Sequence, residues 1–227
     1  MIDIVDFHSH ILPGADHGSG SVSESLDQLR LASARGIKRI IATPHFYPNS
    51  HDVNSYIKRR GLSYNQLLAA MPEDSPEIKL GAEVLICEGI ENMPGLERLF
   101  IAGTSTLLLE LSYTDFHYSY IKSVATLISS GVDVILAHAD RYPKENVNQL
   151  LDVGARIQLN AESCKSIFLA KHIKQWLDRG CVVALGSDIH GRDHKAYRNF
   201  SVAVSRMSRY IDSIKCSSDN VWNKAGK

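Results

Sequence analysis

Cysteine is scarce in this sequence, and long hydrophobic runs are missing. The cysteines form no C-x-x-C pair; they are Cys87, Cys164, Cys181 and Cys216. A disulfide framework and a thiolate metal site are therefore both disfavoured, and a reducing, cytoplasmic setting is expected. No window approaches the roughly 18 uninterrupted apolar residues of a membrane-spanning helix, and the amino terminus lacks a basic segment followed by an apolar run. Neither membrane insertion nor secretion is expected.

An excess of charge of one sign is missing too. The 25 Lys and Arg residues balance the 25 Asp and Glu residues in a chain of 227, so no electrostatic footprint for nucleic acid exists. Neither G-x-G-x-x-G nor G-x-x-x-x-G-K-[ST] occurs, which disfavours a doubly wound nucleotide-binding sheet. The hydrophobic fraction of 44% is that of a globular protein with a sizeable core.

Short apolar runs alternate with amphipathic stretches along the chain. The runs predict strands at residues 2–7, 39–43, 80–86, 106–111, 134–137, 156–159 and 182–186. The stretches between them predict helices at residues 23–35, 53–70, 120–130, 144–153, 165–179 and 194–211. This alternation predicts one α/β domain over residues 1–215 with a mainly parallel sheet, followed by a frayed polar tail over residues 216–227. Because the nucleotide motifs are missing, a closed barrel is preferred to an open sheet.

Residues of the kinds that bind metals stand at or just past the end of nearly every predicted strand. They are His8, His10, His45, Glu83, Glu110, His138, Asp188 and His190. In a parallel barrel the strand ends of one polarity meet on one face, so these side chains should share a pocket. A lone histidine at a strand end is more often structural. His8 and His10, however, are two residues apart in an extended segment and should point to the same side, and Asp188 and His190 repeat this spacing.

Two of these residues are carboxylates inside apolar runs. Glu83 lies in LGAEVLI and Glu110 in LLLELS, and burying a carboxylate costs several kcal/mol unless a cation or donor compensates it. The plainer interpretation is a buried ion pair with an arginine. Imidazole and carboxylate without thiolate suit Zn, Mn or Fe, and eight ligands predict two or three ions. Such sites lower the pKa of water and stabilise the oxygens of a phosphoryl or acyl centre.

Six motifs span residues 6–191; in order they are DFHSHILPGADHG, ATPHF, GAEV, LLLEL, AHADRY and GSDIHG. Together they resemble the PHP superfamily (polymerase and histidinol phosphatase), and more narrowly the bacterial capsular- and exopolysaccharide-type manganese-dependent protein tyrosine phosphatases. The resemblance implies a distorted (β/α)7 barrel with its metal site at the C-terminal ends of the strands. It also implies two or three divalent metal ions, with Mn foremost and Fe or Zn as alternatives.

The resemblance further implies which residues bind the metals. The implied ligands fall into three sets: His8, His10, Glu83 and Asp188; Glu83, Glu110 and His138; and His45 with His190. The family supplies another third-site ligand from a D-D-G motif, which here reads Asp16-His17-Gly18. His17 occupies the position of the ligand acid, and Asp16 is the alternative ligand.

Arg141, in AHADRY, matches a family arginine that is implicated in phosphate binding. Its guanidinium fork suits two phosphate oxygens, although an ion pair with a neighbouring acid at the start of a helix is the structural alternative. Arg192 is a weaker candidate for the same role. Together with Glu83 and His138, Arg141 is expected to carry catalysis.

The activity implied by the resemblance is metal-dependent hydrolysis of phosphotyrosine on protein, which regulates capsular or exopolysaccharide biosynthesis. The expected partner is a bacterial tyrosine kinase of polysaccharide synthesis. A phosphocysteine intermediate is not expected, because no cysteine is followed six positions later by arginine. Three alternatives stay open: another PHP-type phosphoesterase acting on histidinol phosphate or a nucleotide, a metal-dependent amide hydrolase, and a non-catalytic module whose metals only hold the fold.

Overall fold

Parallel strands form the centre of the fold. The structure, a computed structural model, describes residues 4–166 and 168–225. Within them, nine strands form one sheet: β1 (Asp6–Ser9), β2 (Arg39–Ala42), β3 (His45–Phe46), β4 (Glu77–Leu80), β5 (Glu83–Leu85), β6 (Thr106–Glu110), β7 (Asp133–Leu136), β8 (Arg156–Asn160) and β9 (Val182–Gly186). The spatial order is β3-β5-β6-β7-β8-β9-β1-β2-β4, and the strands pair in parallel.

Two of the predicted strands are interrupted, which raises the number from seven to nine. Ala42 pairs with Leu80 before the breaks and His45 pairs with Glu83 after them, so the register is the same on both sides. The first break contains Pro44, which has no N–H for the ladder, and the second consists of Gly81 and Ala82. β2 with β3 and β4 with β5 therefore act as two long strands. Counted in this way, the sheet has seven strands and curls into the distorted barrel, which confirms the predicted fold class.

Helices cover the outside of the sheet. They are α1 (Val22–Ala34), α2 (Val53–Leu68), α3 (Tyr118–Ser129), α4 (Lys144–Asp152), α5 (Ala161–Cys164), α6 (Lys171–Asp178), α7 (Ala196–Arg206) and α8 (Ser208–Lys224). Between the helices and the sheet lies the larger apolar core. A second, smaller core fills the barrel. Within residues 4–166 and 168–225, none of the helices has the length and hydropathy that crossing a bilayer requires.

Several predicted boundaries are wrong. The helix predicted at 165–179 is observed only as α6, because the short α5 ends at Cys164 and the residues described between the two are not helical; Ile167 lies outside the described residues. The helix predicted at 194–211 ends early, because Met207 separates α7 from α8 and is buried in the core. The first strand, predicted at 2–7, is observed at Asp6–Ser9, and Ile2 lies outside the described residues.

The frayed tail predicted after residue 215 is also wrong. Residues 216–224 continue α8, and Val221 and Trp222 are buried in the core inside the barrel. Asp219 of this helix pairs with Arg39, the first residue of β2, at 2.7 Å. The helix therefore closes the N-terminal end of the barrel and leaves the opposite end open. Two apolar residues in a polar segment give little periodicity, so the sequence pattern alone did not indicate this packing. Residues 226 and 227 of the predicted tail lie outside the described part of the chain.

Candidate metal centre

The eight metal-type residues predicted at strand ends meet at the C-terminal end of the barrel. Glu83, on β5, lies at their centre and is fully buried. Its Oε2 lies 3.2 Å from His8 Nε2, 3.3 Å from His10 Nε2 and 2.9 Å from His45 Nδ1. Its Oε1 lies 2.7 Å from His138 Nε2. The convergence that strand order predicted is therefore observed.

Imidazoles compensate the buried charge of Glu83. Burial raises the pKa of this carboxyl, but His8 and the hydrogen-bonding imidazoles around it outweigh burial and hold the pKa well below its usual range. Glu110 has similar neighbours, since its oxygens lie 3.6 Å from His45 Nδ1 and 3.7 Å from His138 Nε2. The ion partners of both acids are thus histidines, not the arginine of the plainer interpretation.

Hydrogen bonds orient the rings of His8 and His10. Asp16 Oδ2 accepts from His10 Nδ1 at 2.7 Å. Gln158 Oε1 accepts from the His138 backbone N–H at 2.7 Å and faces His8 Nδ1 at 3.1 Å, so His8 donates through Nδ1 as well. In the neutral rings both Nε2 atoms then present lone pairs to one point, 3.0 Å apart. Two lone pairs at this distance require a cation or a proton between them.

Gly186 makes room for this arrangement. A Cβ atom at this position would lie 2.5 Å from Gln158 Nε2 and 2.6 Å from His8 Cβ. The register of β1 against β2 also shifts between Asp6 and Ser9, and such irregularities re-aim side chains next to active sites. Close backbone packing therefore fixes where His8 lies.

Backbone strain marks two of the candidate ligands. Among the described residues, only His138 and Asp188 have a positive φ without being glycine, at 30° and 51°. Such conformations cost about 1–3 kcal/mol and persist where surrounding structure enforces them. The extended geometry expected for Asp188 and His190 is thus replaced by a left-handed turn. The two side chains still meet, because His190 Nδ1 lies 3.5 Å from Asp188 Oδ1.

His190 and His45 differ in charge. Burial and the neighbouring His10 lower the pKa of His190 to about 4, so this ring is neutral near pH 7. Its Nδ1 lies 3.0 Å from the Asp188 carbonyl oxygen and donates to it, which leaves Nε2 as an acceptor. Burial also lowers the pKa of His45, but the carboxylates of Glu110 and Glu83 outweigh it and raise the pKa to about 9.

The donor set fits divalent metal ions. Four groups of donor atoms lie close enough together to hold an ion: His10, His45 and His190; His8, His10 and Asp188; His8, Glu83 and His138; and His45, Glu83 and Glu110. Glu83 Oε2 and His45 Nδ1 are buried and make no well-aligned hydrogen bond, which is costly for polar atoms. Imidazole and carboxylate at this spacing are ligands of Zn, Mn or Fe.

The two candidates for the extra third-site ligand lie in different environments. The His17 ring is exposed and lies 4.7 Å from the His45 ring and 4.9 Å from the His190 ring, centroid to centroid. Asp16 instead binds protein groups, because its oxygens accept from His10, from the His45 N–H at 2.9 Å and from the Gly18 N–H at 2.8 Å. Asp16 therefore orients His10.

A cavity of about 260 Å³ opens over the cluster. Arg141 lines it, and its Nη2 lies 2.5 Å from Asp188 Oδ2, so the predicted alternative of an ion pair with a sequence neighbour is not observed. Arg192 does not line it. The Arg192 side chain is 77% exposed, and its Nε lies 3.8 Å from Glu24 Oε1.

Sequence reasoning missed four residues of this site. Tyr47 and Tyr113 line the cavity, Gln158 orients His8, and the Tyr142 hydroxyl lies 3.0 Å from His138 Nδ1. Gln158 could have been found, because it is a polar residue inside the apolar strand run IQL. The tyrosines gave no such signal, since an aromatic residue after a strand is commonplace.

Known proteins resemble this chain over most of its length. Residues 4–216 match the family described as Capsular polysaccharide synthesis, CpsB/CapC. The chain is 23% identical over 207 residues to Tyrosine-protein phosphatase CpsB of Streptococcus pneumoniae, with 85% of each chain covered. It is 26% identical over 198 residues to Tyrosine-protein phosphatase YwqE of Bacillus subtilis, covering 82% of this chain and 77% of that one.

The fold is similar to a solved structure from the same group. A chain from the crystal structures of YwqE and CpsB, described as unique metal-dependent tyrosine phosphatases, superimposes with a TM-score of 0.78. The two chains are 20% identical, and the match covers 96% of this chain and 93% of the other. With the family match over residues 4–216, these findings identify the chain as a member of the CpsB/CapC family of capsular polysaccharide synthesis.

Proposed function

We propose that this protein is a metal-dependent phosphatase that hydrolyses phosphotyrosine on protein and thereby regulates capsular or exopolysaccharide biosynthesis. The observation that carries the proposal is the buried Glu83 carboxylate, which four imidazoles surround beneath an open cavity. Family membership and relatives named as tyrosine phosphatases support the substrate class. Structural metal sites are usually closed and mononuclear, so an open cluster of this size favours catalysis.

Two or three divalent ions would bind here, and manganese is the ion that we propose. The first would be held by His8, His10, Glu83 and Asp188, and the second by Glu83 with His138 and Glu110. His45 and His190 would hold the third, with His17 as the additional ligand, because Asp16 already binds His10 and two backbone N–H groups. When bound, such ions supply Lewis acidity and lower the pKa of water.

The protein's own residues would bind and orient the phosphate ester. Arg141 stands at the cavity with its side chain 41% exposed. Burial lowers the pKa of Arg141, but Asp188 and Tyr113 outweigh it and raise the pKa, so the guanidinium stays charged. Asp188 and Tyr113 contact Nη2 and Nη1; the remaining N–H groups of the fork can donate to phosphate oxygens. The phenol that leaves has a pKa of about 10, which makes it a tolerable leaving group.

A paired-substrate assay tests the substrate class. The manganese-loaded protein is given a phosphotyrosine peptide, a phosphoserine peptide of the same sequence, histidinol phosphate and a nucleotide monophosphate. We expect the phosphotyrosine peptide to have the highest kcat/KM. Preference for histidinol phosphate or the nucleotide would support the other phosphoesterase instead, and no turnover of any ester would reject the phosphatase proposal.

Metal analysis tests the cofactor independently. Mass spectrometry of the purified, manganese-loaded protein should find two or three ions per chain. The matched control is His172→Gln, because His172 lies on α6 beside Trp176 and belongs to none of the four donor groups. The variant His138→Gln should lose metal whereas His172→Gln should not. One ion or none in the unsubstituted protein would contradict the multinuclear site.

We further propose that the substrate is a bacterial tyrosine kinase of polysaccharide synthesis and that both proteins work in the cytoplasm. The capsule-synthesis family supports the first part. The cysteines Cys87, Cys164, Cys181 and Cys216 are free thiols, which supports a reducing compartment. Phosphotyrosine mapping in cells with and without the protein tests the substrate. Increased phosphorylation of that kinase in its absence is expected, and unchanged phosphorylation would exclude it.

A further inference from the structure

Two tyrosines stand beside the cavity where the metal-type residues meet. Tyr47 follows β3, and its ring stacks on His45 with centroids 5.2 Å apart and planes 18° apart. Tyr113 follows β6, and its ring stacks on His138 with centroids 6.2 Å apart and planes 14° apart. Both rings line the cavity. Each tyrosine therefore lies against a candidate metal ligand and extends the wall of the site outwards.

The spacing between the two tyrosines matches one aromatic ring. In the sheet, β5 is the single strand between β3 and β6. Neighbouring strands lie about 4.8 Å apart, so β3 and β6, which the two tyrosines follow, are separated by roughly 10 Å. Two aromatic rings that both contact a third have centroids about 9–14 Å apart, since each aromatic pair prefers 4.5–7 Å. A separation of this size would admit one phenyl ring into the cavity that both tyrosines line.

The chemistry of this wall suits an aryl group. A phenol has an ordinary pKa of about 10, so both side chains are neutral near pH 7 and present apolar ring faces. The side chain of Tyr113 is well exposed, at 60%. Its hydroxyl lies 3.4 Å from Arg141 Nη1, the group proposed to bind phosphate. An arylphosphate would thus meet the cation at its phosphate and the two rings at its phenyl group.

We infer that Tyr47 and Tyr113 form a slot that receives the phenyl ring of the substrate and selects aryl phosphates over alkyl phosphates. This inference rests on the proposed phosphatase function and names the residues that set its specificity. The slot acts on the binding of the aryl group. Phosphoserine, which has no ring, gains nothing from it.

The test measures binding with non-hydrolysable ligands, so that leaving-group reactivity has no influence. Phenylphosphonate and methylphosphonate are titrated calorimetrically into the metal-loaded protein. The unsubstituted protein should bind phenylphosphonate more tightly than methylphosphonate. Tyr47→Ala and Tyr113→Ala should each weaken phenylphosphonate binding about three- to tenfold more than they weaken methylphosphonate binding, which is the range expected for an aromatic pair.

Conservative variants distinguish the contribution of each aromatic ring to binding from that of its hydroxyl group. Tyr47→Phe and Tyr113→Phe should keep the preference for phenylphosphonate. The matched control is Tyr118→Ala, because Tyr118 is 82% exposed and does not line the cavity; it should bind both ligands normally. Unfolding temperatures of all variants show whether each is folded.

Three results would overturn the slot. The unsubstituted protein could show no preference for phenylphosphonate, the alanine variants could weaken both ligands equally, or the phenylalanine variants could lose as much as the alanine variants. Each differs from failure of the phosphatase proposal, which would be seen as absent hydrolysis of every phosphate ester. In steady-state assays on a phosphotyrosine peptide, the alanine variants should raise KM and change kcat little.

Discussion

The two ends of the barrel differ in the polarity of the side chains that they bury. At the C-terminal end, buried histidines and carboxylates surround Glu83. At the N-terminal end, α8 places Val221 and Trp222 among apolar residues inside the barrel. Strain and unsatisfied polar atoms gather at the first end, where His138 and Asp188 have positive φ and Glu83 Oε2 lacks an aligned hydrogen bond. The apolar end therefore stabilises the fold, whereas the polar end stores strain and charge for function.

Replacing the central carboxylate should have the largest effect. Glu83→Gln keeps the side-chain volume but removes the charge that four imidazoles share. We expect kcat/KM for the phosphotyrosine peptide to fall by about 10⁴-fold, or roughly 5.5 kcal/mol, with loss of bound metal. Glu145→Gln, at an exposed position on α4, is the matched control. Full metal content and normal turnover in Glu83→Gln would remove the centre of the proposed site.

Removing a large side chain from the apolar end should lower the stability of the fold and leave the activity unchanged. Trp222 is 5% exposed, and Trp222→Ala should lower the free energy of unfolding by about 3–5 kcal/mol. Urea denaturation measures the loss, with Phe168→Ala as control because Phe168 is 87% exposed. The kcat of the folded fraction should be unchanged, because the site lies at the opposite end. A loss of less than about 1 kcal/mol would show that α8 does not stabilise the barrel.

Replacing Gln158, which contacts two of the proposed metal ligands from behind, should reduce metal affinity and activity by a smaller factor. Gln158→Met removes the acceptor shared by His8 Nδ1 and the His138 N–H. Metal affinity and activity should fall about 10- to 100-fold, the usual consequence of losing such a partner. Metal titration of the variant measures this, against Gln149→Met, which changes an exposed glutamine on α4. Equal metal affinity in the two variants would mean that Gln158 does not orient His8.

A substitution in the outer helical layer, away from both ends of the barrel, should have the smallest effect, which is a small change in stability. Gly61 lies within α2, and a Cβ atom there would meet nothing within 4 Å. Gly61→Ala should therefore stabilise the protein by about 0.5–1 kcal/mol, because glycine weakens a helix interior. The unfolding midpoint in urea should rise while kcat/KM stays constant. Altered activity in this variant would show that the metal end responds to changes in the outer layer.

Much of the convergence of side chains at the candidate metal centre could be predicted from the sequence. His8, His10, Glu83, Glu110 and His138 follow or lie within apolar runs, and parallel strands must bring such positions to one edge. Prediction failed where the pattern was weak. Trp222 lies in a polar segment, and Arg192 lies next to a motif but points to Glu24, because sequence proximity does not fix the direction of a flexible side chain.

The sequence by itself determined the alternation of strands and helices and the donor chemistry of the site, because both depend on residue type and local spacing. Only the tertiary structure decided how the donors group. It placed His10 with His45 and His190, engaged Asp16 with His10 and set Tyr47 and Tyr113 on either side of β5. These outcomes depend on strand register, on the left-handed turns at His138 and Asp188, and on contacts between distant residues, which local periodicity does not encode.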